Sequence, residues 1–307
     1  MIEGALVITG PTASGKSSLA LELASRLGGE IVSADSAQVY LGMDIGTAKP
    51  DAETQATVRH HLIDIRHPDE PYSAADFRDD ALRVVTEIQS RDVLPIITGG
   101  TMLYLKALKE GLSALPPADQ AVRDEISREA EIHGWPHLHE SLSRVDPEAA
   151  SRINPTDPQR LQRALEVYRI SGKPLSSYHA QTGEPCPFPL LEIAIMPLDR
   201  APLHKAIEER FRQMLDQGFV EEVRKLKNNP ELHVGLPAVR AVGYRQIWSF
   251  LEGEVDEQTM IETGLAATRQ LAKRQYTWLR GWQDLHVVES PDLGEALKIV
   301  GNSTILE

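Results

Sequence analysis

Cysteine is nearly absent from this chain, whose 307 residues include one, Cys186. A single cysteine excludes a disulfide framework and a cysteine-based zinc site. Aromatic residues make up 5% of the sequence, and no apolar run approaches the roughly 20 residues that a membrane-spanning helix needs. A basic segment followed by an apolar stretch, typical of a secretory signal, is also missing at the N-terminus. From these absences we expect a soluble, cytoplasmic protein that does not use a membrane.

Positive charge is also in short supply. The chain has 32 Lys and Arg against 45 Asp and Glu, a formal net charge of −13. This balance argues against a nucleic-acid partner, because phosphate contacts require Lys and Arg. A nucleic acid could bind only to a locally basic surface, so the distribution of Lys and Arg matters more than their sum. The length allows one large domain, or one domain with an insertion.

A glycine loop between a strand and a helix is the clearest motif. Residues 10–17 read GPTASGKS, which has the GxxxxGK[ST] spacing of a phosphate-binding loop. The apolar run at 5–8 predicts the strand before it, and the amphipathic run at 19–24 predicts the helix after it. A chance glycine turn is the alternative, and it would not require both flanking elements.

The residue types of this loop suit a polyphosphate. Gly10 and Gly15 let the backbone curl so that successive N–H groups face an anion. The N-terminus of the following helix presents its positive end to the same anion. Lys16 adds a charge, and the Ser17 hydroxyl suits Mg²⁺. The loop does not say which polyphosphate it binds.

Strand and helix patterns alternate through the first part of the chain. Strands are predicted at 30–34, 62–65 and 93–97. A capping box at Ser73 predicts a helix to about residue 89, and another helix begins at Met102. This alternation predicts the α/β class: a P-loop NTPase-like parallel sheet flanked by helices.

The pattern changes near residue 115 and changes back near residue 190. From 115 to 189 it is helical, with no convincing strand. A strand at 192–196 follows, and the remainder is helical apart from a short strand at 285–288. We therefore expect a core of residues 1–114 and 190–307 with a helical C-terminal part, and a helical insertion domain at 115–189.

Two strand ends lie near the predicted phosphate loop. Asp35 follows the strand 30–34, at the sheet edge where ligands bind in open α/β folds. It could act as a general base or a Mg²⁺ ligand, or simply cap a loop. The strand 93–97 is followed by Thr98-Gly99-Gly100-Thr101, where P-loop NTPases usually place a Mg²⁺-binding Asp. Its absence disfavours ordinary NTP hydrolysis, although a tight strand–helix turn would also explain the glycines.

Arg210 and Leu203 are seven residues apart, so they fall on the same stripe of a predicted helix. An inward-facing cation is costly unless it is paired. A diphosphate would pair Arg210, but so would a carboxylate, and the side chain could also reach out to the stripe edge.

The helix predicted at 267–282 has two faces. One side carries three cations and an aromatic residue: Arg269, Lys273, Tyr276 and Arg280. The opposite side is mostly apolar and carries Leu271, Gln275, Trp278 and Trp282. Basic residues interleaved with an aromatic suit phosphate contacts and base stacking. A solvated basic face above a core-packing face has the same pattern.

Weaker signals lie elsewhere in the sequence. Arg240 and the run Gly243-Tyr244-Arg245 combine a glycine turn with cations and an aromatic ring. The run 159–163 opens a helix with amide and guanidinium groups, which is also the composition of an ordinary charged helix face. His60-His61 lacks metal-ligand spacing, so no metal is assigned there.

These stretches together resemble the bacterial tRNA dimethylallyltransferase family, also called tRNA isopentenyltransferases. The resemblance covers almost the whole chain in eight ordered segments: GPTASGKS at 10–17, SADSAQVYLGMDIGTAKP at 33–50, YSAADF at 72–77, GGTMLYLKAL at 99–108, DPQRLQRALEVYRISGKPL at 157–175, ERFRQMLDQGF at 209–219, VGYRQIW at 242–248 and TRQLAKRQYTWLRGW at 268–282. No departure is visible in the stretches that would carry catalysis.

The resemblance implies a reaction. A dimethylallyl group moves from dimethylallyl diphosphate to N6 of the adenosine on the 3′ side of the anticodon of tRNA, and diphosphate leaves. The phosphate loop then binds a prenyl diphosphate with Mg²⁺, which fits the missing strand-end Asp. Whether ATP also binds in this loop is not decided by the resemblance. The implied partner is the tRNA anticodon arm, held in part by the insertion domain, and we expect a monomer.

The resemblance also implies a role for each matching residue. The catalytic residues would be Asp35, as the base on N6, with Lys16 and Arg210. The diphosphate would be bound by Gly10, Pro11, Thr12, Ala13, Ser14, Gly15, Lys16 and Ser17, and Ser17 would ligate the metal. The tRNA would be bound by Asp35, Ser36, Ala37, Gln38, Thr101, Arg123, Gln159, Arg160, Leu161, Gln162, Arg163, Arg240, Gly243, Tyr244, Arg245, Lys273, Arg274, Gln275, Tyr276, Thr277, Trp278, Leu279 and Arg280.

Three other functions use the same motifs. A small-molecule kinase would consume ATP without RNA and leaves the basic faces unexplained. An adenylate isopentenyltransferase would use the same donor on a free nucleotide and would not need the insertion. A non-catalytic RNA-binding protein would leave the phosphate loop without a role.

Overall fold

The computed structural model describes residues 2–179 and 183–305. The chain divides at 109/110 and at 185/186 into two compact units. We call residues 2–109 with 186–305 the core unit, and residues 110–185 the helical unit. The predicted ranges 1–114, 115–189 and 190–307 also contain residues 1, 180–182, 306 and 307, which lie outside the described residues.

A parallel sheet organises the core unit, and within the described residues it has six strands in the order β3-β2-β4-β1-β5-β6. The strands are β1 (Ala5–Thr9), β2 (Glu30–Ser33), β3 (His60–His61), β4 (Pro95–Gly99), β5 (Leu190–Ile195) and β6 (Leu285–Val288). Each neighbouring pair is parallel. The predicted α/β class and parallel sheet are confirmed.

The helices follow the strands in chain order. They are α1 (Lys16–Leu27), α2 (Ala52–Thr57), α3 (Ala74–Gln89), α4 (Met102–Glu110), α5 (Gln120–His133), α6 (Trp135–Val145), α7 (Pro147–Arg152), α8 (Pro158–Ser171), α9 (Leu175–His179), α10 (Arg200–Asp216), α11 (Phe219–Lys227), α12 (Tyr244–Leu251), α13 (Glu257–Arg280) and α14 (Leu293–Gly301). Among the described residues, no helix is long and apolar enough to cross a bilayer.

Side-chain alternation along β1 explains why helices cover both faces of the sheet. Leu6 and Ile8 pack in one cluster with the buried residues of α1 and α14. Ala5 and Val7 pack in a second cluster with α3, α4 and the helices α10–α13. Because successive strand residues point to opposite faces, a fully apolar strand needs a covering layer on each side.

The helix boundaries follow the capping chemistry in the sequence. Ser73 accepts a hydrogen bond from the Asp76 N–H, and the Asp76 side chain accepts one from the Ser73 N–H. This capping box starts α3 as predicted. At the end of α1, Gly28 takes φ 68°, the left-handed conformation in which glycine terminates a helix at little cost.

The predicted strand at 62–65 is wrong. The strand there is β3, which begins two residues earlier and ends at His61. Leu62 and Asp64 both have positive φ, 61° and 55°, which an extended strand does not allow. The Asp64 carboxylate instead pairs with the buried Lys49 ammonium, so local charge pairing overrides an apolar pattern.

The helical unit has its own small core. Buried residues of α5, α6, α7 and α8 form one cluster, among them Ile126, Leu142 and Leu161. Glu166 is fully buried in this unit. It accepts hydrogen bonds from Arg123 and Arg163 and from the Asp119 N–H. A buried carboxylate needs such partners, so the two arginines support the unit from inside.

Candidate active site

The loop between β1 and α1 has the backbone of a phosphate-binding loop. Gly10 takes φ 153°, and a Cβ there would lie 2.7 Å from both the Ile195 carbonyl oxygen and Ser14 Oγ. Ala13 and Gly15 also have positive φ, 64° and 87°. Ser14 Oγ is buried without a hydrogen-bond partner. An unpaired buried hydroxyl in this loop is suited to an anion oxygen.

Thr12, in the middle of this loop, is held from two directions. Its N–H donates to Gln275 Oε1 at 2.8 Å. Its hydroxyl oxygen accepts a hydrogen bond from Arg210 Nη2. The loop conformation is therefore fixed by α13 on one side and α10 on the other.

Two cations and one carboxylate share the site. Burial, together with the charge of Arg210, lowers the pKa of Lys16 to about 8, and Asp35 partly opposes both effects. Burial also lowers the pKa of Arg210, again opposed by Asp35. The two cations are therefore buried beside one another, and added negative charge would stabilise both. A di-anion would supply it.

Asp35 lies at the start of a tight turn beyond β2. Its Oδ1 accepts the N–H groups of Ala37, at 2.8 Å, and Gln38, at 3.4 Å. The Ser36 N–H donates to Thr101 Oγ1 at 3.0 Å, which joins this turn to the end of β4. No hydrogen bond to Asp35 Oδ2 is found among the described residues, so that oxygen can accept a proton from a ligand.

Gly99 explains how these two strand ends come so close. A Cβ on Gly99 would lie 2.1 Å from the Ala34 carbonyl oxygen, which no side chain tolerates. Gly99, the last residue of β4, therefore serves close packing of the two strand ends, which neither sequence-based alternative, ligand approach or a tight strand–helix turn, includes.

Glu222 holds residues 44–46 of the segment 36–50. The Glu222 carboxylate accepts the N–H groups of Asp44, Ile45 and Gly46 at 2.7–3.2 Å. It also accepts the Tyr244 hydroxyl at 2.6 Å. Within the segment, Gln38 Nε2 donates to the carbonyl oxygens of Thr47 and Ala48 at 3.2 and 3.3 Å. The side chains of Glu222 and Gln38 therefore help to order this long segment.

These elements surround a cavity of about 550 Å³ in the core unit. Its polar wall includes Thr12, Lys16, Ser17, Asp35, Gln38, Thr101, Arg210, Arg240 and Arg274. Its apolar wall includes Tyr40, Tyr72, Met102, Leu103, Ile207, Phe211, Met214, Phe219, Leu271 and Trp278. One cavity thus combines an anion cradle, a carboxylate and room for apolar groups.

Several predicted site residues meet at this cavity. Besides those in its polar wall, the structure places Ser36, Ala37, Gly243, Tyr244, Gln275 and Trp278 around it. Trp278 is 41% exposed, and the Lys106 ammonium lies 5.8 Å from its ring centroid. The predicted residues Arg245, Lys273, Thr277 and Arg280 are exposed but do not line the cavity.

The predicted division of α13 into two faces is wrong at Tyr276 and Trp278. Tyr276 is 5% exposed, and its hydroxyl donates to the Pro197 carbonyl oxygen at 2.9 Å. Together with Ala272 and Leu279 it forms the buried stripe of the helix. The exposed aromatic is Trp278, one 3.6-residue turn from Arg274. Tyr276 and Leu279 are therefore not placed for direct contact with tRNA, because core packing takes both side chains.

The helical unit divides the other predicted tRNA-binding residues into two groups. Leu161 is fully buried, and Arg123 and Arg163 are paired with Glu166. Gln162 Nε2 donates to Ser127 Oγ at 2.9 Å. Gln159 and Arg160 are exposed. Leu161 is accordingly a core residue rather than a tRNA contact, while the Arg160 side chain stays mostly exposed and forms an ion pair with Asp157 at 3.3 Å.

The residues suit a magnesium ion that is shared with a ligand. Ser17 and Asp35 line the cavity together with Thr98, whose Oγ1 is buried without a hydrogen-bond partner. No group of three or more His, Cys, Asp or Glu side chains that could hold a metal occurs in the described parts of the chain. Mg²⁺ often takes one or two protein oxygens and completes its shell with water and phosphate, which fits this set.

Two residues have roles that the sequence motifs do not predict. Glu222 orders the segment 36–50 from a distant helix, and no local pattern marks it. Gln275 is among the predicted tRNA-binding residues, but its contact with the phosphate loop can be recognised only once the buried face of α13 is known.

The chain is similar to known proteins along most of its length. A model of the IPP transferase family matches residues 38–282. The chain is similar to a tRNA isopentenylpyrophosphate transferase of Bacillus halodurans, with 36% identity over 98% of this chain and 95% of that one and a TM-score of 0.70.

Two further solved structures are similar. A tRNA delta(2)-isopentenylpyrophosphate transferase of Staphylococcus epidermidis is 32% identical over 97% of each chain, with a TM-score of 0.68. A eukaryotic dimethylallyltransferase acting on tRNA is 26% identical over 95% of this chain and 75% of that one, with a TM-score of 0.75. With a matching family model across most of its length and relatives above 30% identity, the chain belongs to the IPP transferase family.

Proposed function

We propose that this enzyme transfers a dimethylallyl group from dimethylallyl diphosphate to N6 of the adenosine on the 3′ side of the anticodon in tRNA. The observation that carries the proposal is the shared cavity, in which the phosphate loop, Lys16 and Arg210 lie with the strand-end carboxylate Asp35. Membership of the IPP transferase family supports it.

The donor would lie with its diphosphate on the phosphate loop. Lys16 and Arg210 would neutralise the negative charge that grows on the bridging oxygen as the carbon–oxygen bond breaks. Preorganised donors and cations of this kind act most strongly where charge develops. The apolar wall, which includes Phe211 and Met214, would receive the five-carbon group and keep water away from the reacting carbon.

Asp35 would accept the proton of the acceptor amine. The lone pair of the adenine N6 is delocalised into the ring, so the amine is a weak nucleophile until its proton is removed. As N6 bonds to the allylic carbon, diphosphate leaves with the electron pair and Asp35 takes the N6 proton. A positioned general base contributes typically about 10²–10⁴-fold.

Mg²⁺ is a proposed cofactor. When bound, it would supply additional positive charge to the leaving diphosphate. Ser17 would offer it an oxygen, and the unpartnered Thr98 hydroxyl lines the same wall. Calorimetric titration of diphosphate with and without Mg²⁺ tests this independently of turnover.

Recognition of tRNA would combine cations with stacking. A base inside the anticodon loop must turn out of its stack to reach Asp35. Exposed Arg274 and Trp278 at the cavity, and exposed Arg160 on the helical unit, suit backbone contacts and stacking on a single-stranded loop. Local positive charge of this kind would let an acidic protein bind RNA.

The decisive experiment is mass spectrometry of anticodon-loop nucleosides after incubation with dimethylallyl diphosphate, Mg²⁺ and unmodified tRNA. We expect one added dimethylallyl group on one adenosine. Parallel reactions with free adenylate and with ATP distinguish an adenylate-specific transferase and a kinase. If the anticodon loop stays unmodified although a control enzyme uses the same donor preparation, the proposal is ruled out.

We also propose that the protein acts in the cytoplasm, where its proposed substrate is found, and that it acts as a monomer. Cell fractionation tests the location, and light scattering on the purified protein, with and without tRNA, tests the oligomeric state.

A further inference from the structure

Gln275 is the buried polar residue whose contacts the family likeness does not explain. It lies in α13 with 5% of its surface exposed. Both ends of its amide are used inside the protein. Oε1 accepts the Thr12 N–H at 2.8 Å, and Nε2 donates to the Gly100 carbonyl oxygen at 2.7 Å.

The contacts of Gln275 join the two strand ends at the centre of the sheet. Thr12 belongs to the loop after β1, and Gly100 follows β4, the strand beside β1. A Cβ on Gly100 would lie 2.4 Å from Gln275 Nε2. The amide therefore occupies space that only a glycine leaves open, which fixes its position closely.

We propose that Gln275 is a positioning residue for the diphosphate loop, rather than a tRNA contact. By accepting the Thr12 N–H, it sets the orientation of the peptide before Thr12 and leaves the threonine hydroxyl to Arg210. A loop held in this way meets a diphosphate without rearranging, which lowers the cost of binding. The inference rests on the proposed function in one respect, since it takes a diphosphate to be the ligand.

The two roles predict different defects. A residue that contacts tRNA changes RNA affinity and leaves diphosphate binding intact. A residue that positions the loop changes diphosphate binding in the absence of RNA and leaves RNA affinity intact. Calorimetry with inorganic diphosphate and Mg²⁺, and fluorescence anisotropy with a labelled anticodon stem-loop, measure these two quantities separately.

The main variant is Gln275→Leu, which keeps the side-chain size and removes both hydrogen bonds. We expect diphosphate binding to weaken by about tenfold or more, since a buried Thr12 N–H loses its partner. The KM for dimethylallyl diphosphate should rise in parallel, and stem-loop affinity should stay within about twofold.

Two further variants reach the same contact by other routes. Gly100→Ala displaces the amide from the Gly100 side and should reproduce the loss of diphosphate binding. Gln275→Glu keeps an acceptor for Thr12 but places a negative charge beside the Gly100 carbonyl and near the diphosphate, so it should weaken binding more than the leucine does. These variants decide the matter if Gln275→Leu does not fold, which thermal unfolding will show.

The matched control is Gln258→Leu. Gln258 is exposed at the start of the same helix, about 25 Å from Gln275 at 1.5 Å per residue, and its substitution should change neither affinity. If the wild type binds diphosphate and a folded Gln275→Leu protein binds it equally well, the inference about Gln275 is overturned and the proposed function is not. So would a loss of stem-loop affinity without a loss of diphosphate affinity. Absence of diphosphate binding in the wild type would instead overturn the proposed function.

Discussion

Arg210 and Thr12, 198 residues apart in the sequence, are joined by a hydrogen bond from the guanidinium to the threonine hydroxyl. The bond links α10 to the phosphate loop. It gives the inward-facing arginine predicted from helical periodicity a hydrogen-bond acceptor within the protein.

Removing this arginine should weaken donor binding. We expect Arg210→Ala to raise the KM for dimethylallyl diphosphate by about 10–100-fold, since hydrogen bonds to charged groups contribute about 1.5–3 kcal/mol. Arg210→Lys should recover only part of this, because a lysine lacks the planar fork. Steady-state kinetics with saturating stem-loop RNA measures the effect. Arg212→Ala, at an exposed neighbour, is the control, and an equal defect there would contradict the assignment.

Substitution of Asp35 should separate binding from turnover. Asp35→Asn keeps an oxygen that can accept the Ala37 N–H, but it has no basic carboxylate. We expect turnover to fall at least about 100-fold with diphosphate affinity retained. Single-turnover kinetics and calorimetry measure the two quantities. Asp35→Ala should lose turnover to the same degree, and near wild-type turnover in either variant would remove Asp35 as the base.

Diphosphate binding should depend on pH through Lys16. In the protein without diphosphate, the pKa of Lys16 is about 8. A bound diphosphate favours the ammonium form, so binding raises that pKa. Below pH 8 the lysine is already charged and contributes fully. Above pH 8 binding must take up a proton, so affinity should fall by up to about tenfold per pH unit. Calorimetry in two buffers of different ionisation enthalpy should detect proton uptake at pH 9 and almost none at pH 6.5, and Lys16→Met should abolish the difference.

Loss of Glu222 should loosen the segment 36–50. Glu222→Ala removes the acceptor for three backbone N–H groups and for Tyr244. We expect a loss of unfolding free energy on the order of 2 kcal/mol, and faster hydrogen exchange at residues 44–46. Glu221→Ala, at the exposed neighbour, should change neither. If exchange at 44–46 stayed slow in Glu222→Ala, the segment would be ordered by other contacts.

The arginines of the helical unit should separate by role. Arg160 is 73% exposed on its side chain, so Arg160→Ala should weaken tRNA binding and reduce its salt dependence by about one unit of slope, with no change in thermal unfolding. Arg163→Ala should lower the unfolding temperature, because it leaves the fully buried Glu166 short of a partner. Filter binding across a salt series and thermal unfolding distinguish the two, and equal stability losses would contradict this division.

The sequence predicts the fold and the phosphate loop well because both depend on local patterns. Apolar periodicity, the capping box at Ser73 and the spacing from Gly10 to Ser17 each act within a few residues. The strand at 62–65 is mispredicted because Asp64 forms an ion pair with Lys49, a contact that no local pattern reveals. Diphosphate and tRNA contacts of the individual side chains stay predictions.

Side-chain burial on α13 could not be predicted from helical spacing. Tyr276 and Trp278 are two residues apart, and helical spacing alone does not say which faces the core. The answer depends on Pro197, whose carbonyl oxygen accepts the Tyr276 hydroxyl, and on Gly100, whose missing side chain leaves room for the Gln275 amide. Contacts between distant segments decide such positions, and they become visible only in the folded chain.

Trp278 also gives the molecule an optical reporter of its own. Of the four tryptophans, it is the one with more than a third of its surface exposed, at 41%. Trp248 is buried at 5%, and the Trp282 indole donates to Glu192 at 2.7 Å. A nucleobase arriving at the cavity would therefore quench the emission of a single indole, so substrate docking can be followed in real time without attaching a dye.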